Sequence, residues 1–188
     1  RLWAAAADGR RIDILVNNAG LGYNGAFAGE DIGRETATLS VNAVALTVLM
    51  QEAVRHMLAS GGGRIMNVAS TAAFMPGPGM AVYHATKAYV LSLSEAVADE
   101  LRGKPVTVTA LCPGATATNF ARDAQMEGIT LFKMGGLPSA RSVADTGWRG
   151  MLAGRRVVVT GAMNKVFAFL PRLLPRSLVT RVAGVFLR

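Results

Sequence analysis

Cysteine is almost absent from this chain: Cys112 is the only one in 188 residues, and histidine occurs twice. One thiol closes no internal disulfide, and no Cys/His cluster has the spacing of metal ligands. No metal is therefore expected, and a reducing, cytoplasmic setting fits best. No run of 18 apolar residues and no charged-then-apolar leader is present, so neither a membrane span nor a secretion signal is expected. Acidic residues are missing from the C-terminal stretch. Lys plus Arg and Asp plus Glu number 12 each up to residue 145, whereas the rest holds eight bases and no acid, which accounts for the net charge of +8. What remains is 51% hydrophobic and 17% charged, enough for one sizeable core without staples.

Four short apolar runs, 12–16, 64–69, 105–111 and 156–160, read as buried parallel strands, the first stopped by Asn17-Asn18-Ala19-Gly20. Between them, 38–59, 81–101 and 142–152 carry helical spacing. This alternation predicts an α/β fold with a parallel sheet, whose ligands gather beyond the carboxyl ends of the strands. The loops to inspect then begin at Asn17, Ser70 and Pro113. Residues Gly20-Leu21-Gly22-Tyr23-Asn24-Gly25 spell G-x-G-x-x-G after a strand. A dinucleotide fingerprint needs a helix opening at its third glycine, however, and a polar, mixed stretch follows Gly25, so a wide turn is predicted.

Tyr83 and Lys87 are four residues apart at the start of a predicted helix, hence on one face. A free phenol, with a pKa of about 10, is a poor acid at neutral pH; a neighbouring ammonium favours the phenolate and brings proton transfer within reach. Ser70, at a strand end, is placed to hold a substrate oxygen. The plainer reading is an ordinary exposed helical pair, with Ser70 a helix cap or turn residue. Cys112 reads as a small buried hydrophobe, and His56 and His84 as incidental.

Asn17-Asn18-Ala19-Gly20, Asn42, Ser70, Tyr83-x-x-x-Lys87 and Pro113-Gly114-Ala115-Thr116-Ala117-Thr118 occur in this order. The set resembles the short-chain dehydrogenase/reductase family over about residues 5 to 160. The resemblance implies the C-terminal half of a doubly wound, Rossmann-type sheet, with NAD or NADP as cofactor and an alcohol or carbonyl compound as substrate. It makes Tyr83 the acid in reduction and the base in oxidation. Lys87 would tune Tyr83 and bind the nicotinamide ribose, Ser70 would orient the substrate oxygen, and Asn42 would hold a water linking Lys87 to solvent. Asn17, Ala19 and Gly20 would meet the adenosine ribose, Asn17 partly in a structural role. Pro113, Gly114, Thr116 and Thr118 would meet the nicotinamide and its phosphate side. The family's glycine-rich loop, first three strands and ribose-selecting residue are expected before Arg1, in roughly 60 to 80 residues. An inactive fragment of the family is the alternative. The resemblance also implies a homo-oligomer formed through the helices at 38–59 and 81–101.

Two units are expected: a partial catalytic domain over 1–161 and a basic amphipathic tail over 162–188. The tail mixes long apolar residues with arginines and is split by Pro171 and Pro175. It reads either as a segment lying on an anionic membrane or as a lid or packing helix over the substrate cleft, or a dimer contact. Nucleic acid is not expected as a partner, because aromatic interleaving is sparse. Phe120, Met126, Leu131, Phe132 and Met134, after the Pro113-Gly114 turn, predict a bulky apolar substrate.

Overall fold

The computed structural model describes residues 2–29, 31–126 and 136–187. Four parallel strands, β1 (Ile14–Asn17), β2 (Gly63–Val68), β3 (Val106–Cys112) and β4 (Val157–Val159), lie side by side in chain order. Their register pairs Asn17 with Asn67, Val68 with Leu111 and Cys112 with Val159, so the carboxyl ends finish nearly level. The four strands fall within a residue or two of the sequence expectation.

Helices cover both faces. Alternation along β2 and β3 sends Ile65, Val106, Val108, Ala110 and Cys112 into one core, shared with Met50, Ala53, Met57 and Val90 from the helices on that side. Met66 and Leu111 point the other way and pack with Val143, Met151 and Val158. The first face carries α3 (Leu46–Ala59) and α4 (Ala81–Glu100); the second carries α6 (Ala140–Leu152). A short α1 (Leu2–Ala7) precedes β1. It is held to α3 by Trp3, whose ring meets His56 edge-on, while His56 Nε2 accepts from the Ile12 amide at 3.0 Å.

The helix expected from residue 38 starts earlier. Asp31 caps it, its carboxylate accepting from the Gly33 amide at 2.8 Å, so the polar stretch after residue 30 forms its first turns, α2 (Ile32–Leu39). A π turn, Ser40–Ala45, then joins α2 to α3. By length and composition alone the continuous segment Ile32–Ala59 could cross a membrane, although its charged residues leave no unbroken run of 18 apolar ones. Leu46, Met50, Ala53 and Met57 instead bury one of its faces on the sheet.

After β3 comes the four-residue α5 (Phe120–Asp123), and after β4 the tail. Its two helices, α7 (Ala162–Phe169) and α8 (Arg176–Phe186), are separated by a 3₁₀ turn at Leu170–Arg172, with Pro171 in that turn and Pro175 capping α8. The tail is packed on the body. Val179, Ala183, Gly184 and Leu187 are buried, and Leu187 shares a cluster with Met80, Ala124 and Met126.

Candidate active site

Ser70, Tyr83 and Lys87 converge where β2 and β3 end. Lys87 is buried on α4 and donates to the Val68 carbonyl at 2.8 Å, its Nζ 5.7 Å from the centre of the Tyr83 ring. An ammonium has three donors and this bond uses one. Ser70 caps a 3₁₀ turn (Thr71–Phe74), accepting from the Ala72 amide at 3.1 Å and donating to the Pro113 carbonyl at 3.4 Å. It is therefore a cap, as the plainer sequence reading held, and also a neighbour of Tyr83.

Tyr83 is half-buried between two loops. Its ring stacks at a tilt on Phe120, 5.4 Å between centroids. Gly22 passes close beneath: a Cβ there would lie 2.7 Å from Tyr83 Cδ2, so only glycine leaves room for the ring. This explains part of the Gly20–Gly25 pattern, whose residues form an irregular turn clamped by Asn24 N to Ala124 O and Gly25 N to Gly79 O.

Burial pushes the Tyr83 phenol above its ordinary pKa, and the opposing pull comes from its hydrogen bond with Ser70. Lys87, expected to favour the phenolate, stands with its Nζ 5.7 Å from the ring centre and donates to the Val68 carbonyl. Burial in turn draws Lys87 down to about 8. The same effect pushes the Cys112 thiol up to about 12, as suits a buried hydrophobe. His84, drawn below its ordinary value by burial, has Nδ1 within 2.8 Å of the Met75 carbonyl and anchors the loop before α4.

Asn42 lies in the π turn, 1% exposed. Its Oδ1 accepts from the Leu21 amide at 2.8 Å, and its Nδ2 donates to the Leu21 carbonyl at 2.8 Å and to Thr86 Oγ1 at 3.0 Å. Both amide hydrogens are used, so Asn42 ties the loop after β1 to α4; only Oδ1 keeps a lone pair. Asn17 turns inward, its Nδ2 donating to Asn67 Oδ1 at 2.9 Å, while Asn67 donates to Ser94 Oγ at 2.9 Å. Asn67, Ser94 and Thr86 were not singled out from the sequence. Buried polar residues inside apolar runs were the available signal.

The expected cofactor positions occupy the same rim. Ala19 is exposed and Gly20 half-buried; a Cβ on Gly20 would sit 3.4 Å from both Asn42 Oδ1 and Lys87 Nζ. Across from them Pro113, Gly114 and Thr116 are half-buried, and Thr116 Oγ1 donates to the Gly114 carbonyl at 3.0 Å. Thr118 is exposed, and its Oγ1 accepts from the Phe120 amide at 3.3 Å. The spare donors of Lys87 and this open rim fit the ribose and nicotinamide half of a dinucleotide. Among the described residues no group of three metal-ligating side chains occurs.

A parallel α/β/α sheet with a Ser, Tyr and Lys at its carboxyl edge defines a class of nicotinamide-dependent oxidoreductase folds, and comparison with known proteins narrows it. The family described as short chain dehydrogenase matches residues 2–127. The chain belongs to this family. It is 35% identical over 131 residues to a 3-oxoacyl-[acyl-carrier-protein] reductase of Synechocystis, covering 70% of this chain and 51% of that protein. Among solved structures, a short-chain dehydrogenase from Sphingobium yanoikuyae in complex with NADPH aligns with a TM-score of 0.77 at 30% identity, over 86% of this chain and 62% of that one. A 3-ketoacyl-(acyl-carrier-protein) reductase from Brucella melitensis complexed with NADH aligns with a TM-score of 0.73 at 28% identity, over 85% and 69%. The chain thus spans about half the length of the curated relatives it matches.

Proposed function

We propose that this chain carries the catalytic residues of an oxidoreductase interconverting an alcohol and a carbonyl compound with NAD or NADP, its rim taking the nicotinamide and ribose half of the cofactor. The observation that carries the reading is the convergence of Ser70, Tyr83 and a buried Lys87 at the carboxyl ends of β2 and β3. When bound, the nicotinamide supplies or accepts the hydride. The chain's own residues handle the rest: Ser70 orients the substrate oxygen, and Tyr83 gives that oxygen its proton in reduction and removes it in oxidation. Lys87 holds the ribose with its spare donors, and Asn42 positions the loop that closes the pocket.

The substrate of this reading is apolar. Phe120 covers Tyr83, and Met80, Ala124, Met126 and Leu187 pack beside it. Leu131, Phe132 and Met134 lie outside the described residues. The exposed row Leu39, Val44, Val48 and Tyr89 supports pairing of two copies through α3 and α4. The working place is cytoplasmic, with peripheral membrane contact through the tail.

The test is cofactor titration together with reduced-cofactor absorbance over a panel of ketones. Turnover of long-chain or ring ketones over small charged ones is expected. No turnover of any carbonyl despite cofactor binding would overturn the proposal.

A further inference from the structure

The tail presents a surface unlike the rest of the molecule. Of the 22 large apolar side chains exposed among the described residues, 11 lie between Met163 and Phe186. On α8, burial of Val179, Ala183 and Leu187 turns the row Leu178, Val182 and Val185 to solvent, at 44, 47 and 70% exposure. Leu173, between the helices, is 66% exposed. Lys165, Arg172 and Arg181 stand among them and Arg176 at the edge where α8 meets the loop before α4; all four are exposed, and none is in an ion pair among the described residues. No acid follows Asp145.

We propose that this face of α7 and α8 docks on an anionic lipid surface, the four cations among the headgroups and the apolar row below them. The proposal deepens the membrane contact suggested above and rests on the tail alone, so it stands or falls apart from the catalytic reading. The charge selects the occupant. A second copy joined by this face about a two-fold axis would set one unpaired basic cluster against another with no acid between them, whereas anionic headgroups neutralise it. Apolar side chains interleaved with the cations favour lipid over nucleic acid. Length selects the mode. The longer helix has 11 residues, about 16 Å at the usual rise, roughly half the hydrocarbon thickness, so it lies in the interface and does not span.

The test is flotation of the whole chain with vesicles of phosphatidylglycerol mixed into phosphatidylcholine, against phosphatidylcholine alone, at low and high salt. Binding to the anionic vesicles is expected, with release by salt and little retention on neutral ones. Arg172→Gln/Arg176→Gln/Arg181→Gln should weaken partitioning on the order of 100-fold, and Lys165→Gln alone about fivefold. The single variant keeps the test decisive should the triple one unfold. Leu178→Ser/Val182→Ser/Val185→Ser should also lose binding while its circular dichroism stays unchanged. Absence from anionic vesicles, or equal binding to neutral ones, overturns the proposal. So does an apolar-row variant that turns a dimer into a monomer with flotation intact, which assigns the face to a second copy.

Discussion

The body of this protein and its tail solve opposite problems. Up to Gly161 most polar groups that fold inward find partners: Asn17 and Asn67 meet Ser94, Asn42 meets Leu21 and Thr86, and Lys87 meets the Val68 carbonyl, the buried hydroxyls of Thr107 and Thr160 being the exceptions among the described residues. Beyond it, short helices keep one narrow face on the body and leave cations and large apolar groups outside. Buried polar pairing costs desolvation and persists here where it holds chemistry in place. Exposed apolar surface beside unpaired charge is the mark of a contact made with something else. The two regions should therefore respond to mutation in different currencies, the body in turnover and stability, the tail in partitioning.

The sharpest break should come at Tyr83. Tyr83→Phe keeps the ring against Phe120 and Gly22 but removes the proposed proton donor, so turnover should fall by roughly 10² to 10⁴. Cofactor affinity should hardly change. Steady-state kinetics beside a cofactor titration separates the two, and near-normal turnover would sink the mechanism.

Lys87 should show catalysis and stability opposed. Its pKa is drawn from 10.5 to about 8 in the folded chain by burial. Below pH 8 both folded and unfolded chains carry the proton, and folding bears the full cost of burying the charge, on the order of 3 kcal/mol. Between pH 8 and 10.5 the folded chain has released the proton and the unfolded chain has not, so stability rises with pH. Lys87→Met should thus stabilise the protein near pH 7 by about 1 to 2 kcal/mol after loss of the bond to Val68, and the gain should vanish by about pH 10. Turnover and cofactor affinity should both drop. Urea unfolding at several pH values checks the first part; a gain independent of pH would contradict the burial argument.

The same contrast governs what could be read from sequence. The strands and the grouping of the candidate site residues were legible because chemistry restricts both type and spacing: a four-residue step on a helix puts Tyr83 and Lys87 on one face whatever surrounds them. The aim of each side chain was not. That Lys87 would point at a main-chain carbonyl, that Asn42 would spend its amide hydrogens on Leu21 and Thr86, and that Asn17 would turn to Asn67 depend on contacts between residues 19 to 50 positions apart. The start of the helix at Ile32 was hidden because its first two turns are polar and face solvent. In the tail, composition announced an amphipathic segment, but prolines cut it into helices too short for a period to say which face is inside.

Leu187 tests where body ends and tail begins. It is buried with Met80, Ala124 and Met126 beside Tyr83, so Leu187→Ala should cost about 2 kcal/mol, at the low end for a buried leucine. It should also raise KM for a bulky apolar ketone more than it lowers kcat. A loss of stability with no change in KM would confine Leu187 to packing.

The smallest effect should come from the outer face of the same helix. Arg181→Gln, alone or with Arg172→Gln, removes exposed cations without ion partners among the described residues. Surface changes of this kind seldom move folding stability much, and relief of like-charge repulsion along a segment without acids acts in the stabilising direction. The urea midpoint and kcat/KM for a water-soluble ketone should both match the parent chain, while partitioning onto anionic vesicles falls. Leu187 and Arg181 are six residues apart on one short stretch, so a fall in turnover with Arg181→Gln as large as that with Leu187→Ala would show that the two faces are not separable. The tail would then belong to the active site on both sides, and the comparison between the regions would fail.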